Sequence, residues 1–358
     1  MITGLAPGGA ENQLRLLLRH TRHEAEVVTL TNPGTIARAI RAEGTPVTHL
    51  RMGGNRDLRA LGRLWRHMRR RKVDLVHVHL YRSCVYGRLA ARLAGVPHVV
   101  TTEHSLGAGY IEGRATTAGV RLLYLATERL SDVTIAVSDA VRSRLMSWGV
   151  RERKLVTIRN GLDFGALAFD PDVRAVVRRS LGIPDDAFVI GALGRLDPVK
   201  RFEMLIDAAE SVLGPRCRLL MVGDGPLRDS LRQRVSGANL TPYVVFAGER
   251  DDVAALLAAM DLLVSPSASE TFGIAAIEGL GAGLPVLYAE CPAIEELGDG
   301  AISTARRLDG GRDDLEEEIR GALRRSPVER LAPSVIVDRF SIESASRAVD
   351  ELYDGLAV

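Results

Sequence analysis

Cysteine is scarce in this sequence: Cys84, Cys217 and Cys291 stand far apart, with no pair at metal-ligand spacing. That argues against a disulfide scaffold and a cysteine-held metal, and the expected state is three reduced, mostly buried thiols in a cytosolic protein. No apolar run reaches the ~18 residues of a membrane-spanning helix. The N-terminus has no basic-then-apolar signal segment. Low-complexity tracts and repeats of 20–50 residues are missing. There is no helix-turn-helix or RNA-binding motif, so nucleic acid is not an expected partner. What remains is a globular composition, 46% apolar and 26% charged with only 4% aromatics, in 358 residues, enough for two domains.

Acidic residues are also rare in the first half. Residues 1–160 hold 26 Lys+Arg and 12 Asp+Glu, a balance of +14, while residues 161–358 hold 21 and 33, a balance of −12. Such a split suggests an anionic surface or acceptor engaged by the first half. Its densest cluster is Leu58–Lys72, where seven basic residues share a helical pattern with Leu58, Leu61, Trp65 and Met68. A basic amphipathic helix suits anionic lipid; a packed helix with a solvated basic face is the plainer alternative.

Strand-like and helix-like segments alternate. Expected strands are Val27–Leu30, Val47–Leu50, Val73–Val78, His98–Thr102, Val133–Val137, Leu155–Ile158, Phe188–Leu193, Arg218–Val222, Val244–Ala247, Leu262–Val264, Val286–Tyr288 and Ala301–Ser303. Helical patterns between them include Leu58–Arg70, Ser83–Ala94, Arg201–Leu213 and Asp252–Met260. The alternation implies parallel sheets wound on both faces, and the strand count suits two such sheets. The break is expected at the Asn160-Gly161 turn. This divides the chain into 1–160, 161–339 and a final helix, 340–358.

The richest stretch is Pro266 to Glu278, in which Glu270 sits in a Ser-rich loop after an apolar strand and Gly273 opens a helix. Glu278 follows eight residues after Glu270, which could separate the carboxylates by roughly 12 Å. The paired carboxylates of a glycosidase sit about 5–9.5 Å apart, so this spacing suits two ends of one long polar ligand instead. Diphosphate oxygens would lie between them at the helix N-terminus.

This Glu-x7-Glu arrangement resembles the signature of retaining, nucleotide-sugar-dependent glycosyltransferases of family 4, and the likeness runs from Gly8 to the last helix. It implies an α/β GT-B fold, two Rossmann-like parallel-sheet domains facing a cleft, with the final helix crossing back to the first domain. It further implies a UDP-sugar or GDP-sugar as co-substrate, no cofactor, no metal, and a hydroxyl acceptor, anionic or lipid-linked among the options. The enzyme is expected in the cytoplasm, with a peripheral seat on the membrane's inner face open to it.

Residue by residue, the resemblance places the sugar 3- and 4-hydroxyls on Glu270 and the ribose on Glu278. Backbone N–H groups of Phe272, Gly273 and Ile274 would meet the sugar and phosphates. Arg195 and Lys200, in Gly194-Arg-Leu-Asp-Pro-Val-Lys200, are the expected cations for the departing diphosphate. His104, after a first-domain strand, would position the donor sugar. Gly8 and Gly9 let the backbone approach the phosphates. Asn160 and Arg250 complete the donor-binding set. Asp224, in a Gly-Asp-Gly turn, reads as structural, and Asp251 or Asp252 as a helix cap. Only Met1 and Ile2 stand where a first strand of about five residues belongs. A start assigned too late, or a gap in the sheet, is expected there. The rival readings are a nucleotide-sugar 2-epimerase and a non-catalytic binding subunit.

Overall fold

The computed structural model describes residues 1–357 except 56, 108, 113, 299 and 326–329, with backbone alone at 110, 114 and 357. The chain divides into two compact units, Met1–Leu162 with Ile342–Val358, and Asp163–Ser341.

In unit 1 the order is α1 (Gly9–His20), β1 (Val27–Thr29), α2 (Ile36–Ala42), β2 (Val47–His49), α3 (Leu58–Arg71), β3 (Leu75–His79), α4 (Tyr81–Ala94) and β4 (His98–Glu103). A small antiparallel pair, β5 (Tyr110–Ile111) and β6 (Arg114–Ala115), precedes α5 (Ala118–Glu128), β7 (Val133–Ala136), α6 (Asp139–Trp148) and β8 (Leu155–Thr157). The last helix, Ile342–Ala357, packs on α1. Strands β3-β4-β7-β8 form one parallel ladder and β1-β2 another. Ile2 stands between the two ladders and bridges Thr29 on one side and His79 on the other, both in parallel sense. The expected gap is therefore spanned by one residue: Ile2 donates to Val28 O (3.0 Å) and accepts from Leu30 N (3.2 Å), and Met1 O accepts from His79 N (2.9 Å). Ile2 is wholly buried, as a central parallel position requires.

Unit 2 holds one six-stranded parallel sheet in the order β11-β10-β9-β12-β13-β14. Its strands are β9 (Phe188–Leu193), β10 (Cys217–Val222), β11 (Val244–Gly248), β12 (Leu262–Ser265), β13 (Val286–Tyr288) and β14 (Ala305–Arg307). Continuous runs of buried Val, Leu, Ile and Ala mark β9, β10 and β12, as helices on both faces demand.

Two expectations fail here for local reasons. The last strand lies at Ala305–Arg307, not Ala301–Ser303. Gly298 and Gly300 take positive φ (89° and 74°), and Ala301 N bonds back to Gly298 O, so this segment turns before it can extend. The helix expected from Arg201 starts at Phe202 and stops at Ala209. Arg201 is left-handed (φ 51°) because it closes the short 3₁₀ turn Pro198–Lys200, and a left-handed residue cannot continue a right-handed helix.

Candidate functional site

The expected site residues fall into two groups, one in each unit. In unit 2 the chain runs outward from β9 through β10 to β11, then returns to the other side of β9 with β12, β13 and β14. Ligands of open parallel sheets bind beyond the strand ends where the order reverses, here beyond β9 and β12. The loop after β9 carries Arg195 and Lys200; the loop after β12 carries Glu270.

Three glycines let these loops approach one another. Gly194 takes φ 145° and donates to Val222 O (3.0 Å). A Cβ on Gly223 would lie 2.0 Å from Gly194 O, and one on Gly225 would lie 2.4 Å from Leu196 O. Both are closer than any side chain tolerates, so the turn after β10 packs backbone to backbone under the Arg195 loop. Asp224 belongs to this support: it accepts from Gly225 N (2.7 Å) and Arg228 (3.0 Å).

On that floor, Lys200 Nζ donates to Glu270 Oε1 at 2.5 Å, joining residues 70 apart in sequence. Burial works against the Lys200 charge, but the Glu270 carboxylate and, more weakly, Asp197 outweigh it and raise its pKa. The ammonium is thus fixed before any ligand arrives. Arg195 differs: its side chain is 73% exposed and lies 3.7 Å from Asp197, free to swing toward an anion.

The loop ends at Gly273, φ 93°, which caps the helix Ile274–Gly281. A Cβ at Gly273 would sit 2.3 Å from the Cys291 sulfur, so both backbone angle and space exclude other residues. Cys291 is fully buried and its Sγ donates to Phe272 O (3.4 Å). The Phe272 ring is core, edge-on to Phe340 at 5.3 Å, which leaves only its backbone for a ligand. N–H groups in the first turn of a helix have no partner inside it, so Gly273, Ile274 and their neighbours present donors. Glu278, on the same helix, has no hydrogen-bond or ion-pair partner among the described residues. Burial alone pushes its carboxyl up to about 7. A partly buried carboxylate without a protein donor is suited to accept from ligand hydroxyls. Arg250 lies apart from this cluster in sequence and grips Asp252, its Nε donating at 2.7 Å. Asp252 therefore serves Arg250, and its side chain makes no cap bond to the helix Val253–Ala259 that follows.

In unit 1, Gly8 is the N-cap of α1 with extended backbone, and a Cβ on it would lie 2.4 Å from the Glu11 carboxylate. One turn into α1, Gln13 clamps the Asn160-Gly161 turn: Nε2 donates to Gly161 O (2.8 Å) and Oε1 accepts from Gly161 N (3.0 Å). The clamp ties the first turns of α1 to the turn that holds the buried Asn160. Nothing in the sequence pattern distinguished Gln13 from an ordinary helix residue.

His104 follows β4 and is buried. Its Nε2 shares a hydrogen bond with Nδ1 of His79 (3.0 Å), from the end of β3. The ring of His79 lies 4.1 Å from that of His77, tilted by 34°, and His77 is held by Thr102 Oγ1 (2.6 Å) and Tyr353 Oη (2.5 Å). Burial keeps all three imidazoles neutral, His104 down to about 4 and the other two well below the ordinary range. His104 is thus a neutral hydrogen-bonding group, not a cation. The neighbouring Glu103 is buried behind it, Oε1 accepting from Ser105 N (2.9 Å). Burial raises its pKa. His79 was missed because a strand histidine followed by an apolar residue reads as packing.

Both the sequence and the fold match known proteins. Residues 7–165 match Glycosyltransferase Family 4, and residues 187–324 match Glycosyl transferases group 1. The chain is 33% identical over 287 residues to the GDP-mannose-dependent alpha-mannosyltransferase of Mycobacterium tuberculosis, covering 75% of this chain and 71% of that protein. It is 29% identical over 259 residues to the Escherichia coli UDP-Gal:alpha-D-GlcNAc-diphosphoundecaprenol alpha-1,3-galactosyltransferase, covering 70% of this chain and 66% of that one. Among solved structures, Anabaena HepE in complex with UDP-glucose superposes with a TM-score of 0.85 at 23% identity, over 99% of both chains. The fold is GT-B, two Rossmann-like parallel-sheet domains. The chain belongs to glycosyltransferase family 4. It spans 52–66% of the length of four of the curated relatives it matches.

Proposed function

We propose that this chain moves a hexosyl or related residue from a UDP-sugar or GDP-sugar to an acceptor hydroxyl, retaining the anomeric configuration and needing no metal. The observation that carries this reading is the Lys200–Glu270 contact beyond the sheet's order reversal, beside the Gly273-capped helix. It joins a fixed cation for a diphosphate to a carboxylate for sugar hydroxyls. The relatives' donors, UDP-galactose and GDP-mannose, support the donor class.

In this reading Glu270 accepts from the sugar 3- and 4-hydroxyls, and Glu278 accepts from the ribose. Arg195, Lys200 and the N–H groups of Phe272, Gly273 and Ile274 hold the diphosphate. Arg250 and the loop that it braces serve the base. Gly8, Gly9 and Asn160 complete the donor contacts, and neutral His104 orients the sugar. The acceptor oxygen bonds to the anomeric carbon on the face from which the diphosphate departs. The bond from that carbon to the β-phosphate oxygen breaks, and the acceptor's proton passes to a phosphate oxygen. Charge grows on the β-phosphate, where fixed cations stabilise it most. The reaction belongs in the cytoplasm, with an anionic or lipid-linked acceptor on the basic unit. The lipid diphosphate in the E. coli relative's name supports that choice.

The test is nucleoside diphosphate release from a panel of UDP- and GDP-sugars, with and without acceptor, and NMR of the product's anomeric proton. Acceptor-dependent release, a retained configuration and equal rates in Mg²⁺ and EDTA are expected. An inverted product or strict metal dependence overturns the corresponding part. Epimerised sugar without acceptor replaces transfer by the 2-epimerase reading.

A further inference from the structure

His79 closes β3, where parallel pairing sets it opposite Thr102 of β4, with His77 opposite Val100. Alternate residues of a strand share a face, so both histidines lie on the face of Thr102, and His104, two residues further on, continues it. There His79 Nδ1 meets His104 Nε2 at 3.0 Å, in rings 5.3 Å apart and 26° from parallel. His79 is 1% exposed. Its ring is backed by His77, whose two nitrogens are taken by Tyr353 and Thr102. The chain leaves His79 through Leu80 at φ 71° and ψ 149°, angles that glycine adopts freely and leucine only where its surroundings force them. The Leu80 side chain packs against the cluster of Ile2, Leu5 and Ile36. His79 is thus held both at its ring and through its main chain.

Burial keeps both rings neutral. A contact between two neutral imidazoles holds one hydrogen, which one nitrogen donates and the other accepts. The tautomer of each ring then follows from that of the other. His79 Nε2 has no hydrogen-bond partner among the described residues. A buried N–H without a partner is rarer than a buried acceptor without one, so Nε2 carries the lone pair and the hydrogen sits on His79 Nδ1. His104 Nε2 accepts it, and the hydrogen of His104 therefore lies on its own Nδ1. The three imidazoles do not converge as metal ligands: both nitrogens of His77 are engaged, and no three ligating side chains gather among the described residues.

We propose that His79 is a positioning residue for sugar transfer: by donating from Nδ1 to His104 Nε2 it fixes His104 as the Nδ1–H tautomer, and so makes His104 a hydrogen-bond donor to the transferred sugar. This rests on the role of His104 proposed above and deepens it. With Nε2 committed to His79, any bond from His104 to a sugar runs through Nδ1. A sugar hydroxyl both donates and accepts, so a ring free to change tautomer would hold it in two ways and a ring of one tautomer holds it in one. Packing alone would be served as well by leucine.

The experiment joins ring-nitrogen NMR of the full chain labelled with ¹⁵N-histidine, in the absence of sugar donor and acceptor, to transfer kinetics with UDP- and GDP-sugars. In the parent, His104, identified by the signals lost in His104→Ala, should carry its hydrogen on Nδ1. In His79→Leu that hydrogen should move to Nε2, and kcat should fall about tenfold, the effect of one hydrogen bond, with nucleoside diphosphate affinity unchanged. His79→Asn, whose amide reaches the place of Nδ1, should keep the tautomer and restore most of kcat. His79→Gln, whose amide reaches the place of Nε2, should do neither, and this contrast holds even where leucine weakens the fold. In a His104→Ala background, His79→Leu should cost nothing further. A parent His104 with its hydrogen on Nε2, equal activity of the Asn and Gln variants, or an undiminished loss in the His104→Ala background overturns the proposal. A rate loss without the tautomer shift defeats this inference alone. A tautomer shift with full transfer by His104→Ala defeats the role of His104 in the proposed function, and the consequence drawn for His79 with it.

Discussion

The two units share an architecture but handle their polar residues in opposite ways. In unit 2 the candidate site residues sit in the loops beyond β9 and β12 and hold one another by charge, Lys200 on Glu270. In unit 1 the corresponding group is buried and neutral, a chain of hydrogen bonds from Tyr353 through His77, with His79 and His104 beside it. The difference teaches that one fold can prepare a site by fixed charge or by withdrawn charge. A fixed ion pair suits a diphosphate, whose charge grows in the reaction. A neutral array suits uncharged hydroxyls.

The largest expected effect breaks the charged half. Lys200→Ala or Glu270→Ala should lower kcat by about 10²–10³, the size of one fixed electrostatic group. Because the two residues are partners, the double variant should lose far less than the product of the single losses. Steady-state kinetics on the four proteins decides it, and additive losses would mean that the pair does not act as a unit.

Gly273→Ala comes next. A positive φ and a sulfur within 2.3 Å of the new Cβ should cost about 2–4 kcal/mol of unit 2 stability, read as an earlier urea transition. Truncating Cys291 to Ala should relieve only part, because the backbone angle remains. A variant as stable as the parent would show that this helix start is not constrained as described.

Acid should separate the halves. All eight histidines lie between His20 and His104, so unit 2 has none. The His104 pKa falls from 6.5 to about 4 on folding, so its stabilisation is present above pH 6.5 and is lost as pH falls toward 4. That loss amounts to at most about 3 kcal/mol, and His77 and His79 add in the same direction. Glu103, whose pKa is raised, opposes them. In unit 2 the sign reverses. Glu278 rises from 4.5 to about 7, so its contribution is present below pH 4.5 and lost as pH climbs through 7. Hydrogen exchange at pH 7 and pH 5 should show unit 1 loosening and unit 2 holding. Uniform loosening would remove the distinction.

The smallest effect sharpens the ribose assignment. Nucleotide affinity should drop a fewfold from pH 8 to pH 6 as Glu278 takes up a proton, and Glu278→Gln should flatten that profile. A titration unchanged by the substitution would move the ribose elsewhere.

Much of this was readable in advance wherever the physics is local. Phe188–Leu193 and Val286–Tyr288 have the expected bounds because a strand covered on both faces must be apolar throughout. The Pro266–Glu278 stretch was readable because its glycine answers to a local backbone demand, as Gly273 shows. Arg201 was not, because its left-handed angle is imposed by the turn before it. The histidine array was not, because alternate residues of a strand gain meaning only when the neighbouring strand is known.

Two parallel-sheet units, the loops that carry Arg195, Lys200 and Glu270, and the imbalance of charge between the halves are all written in the order of the residues. Those depend on period, turn chemistry and composition, which act within a few residues. It takes the folded sheets to bring Lys200 to Glu270 and His79 to His104, to clamp Gly161 with Gln13 and to join two ladders through Ile2. Parallel strands pair only after a crossover of a dozen residues or more, so their contacts join residues far apart in the chain. Which strand lies beside which is settled by the packing of the whole sheet, and no local pattern contains it.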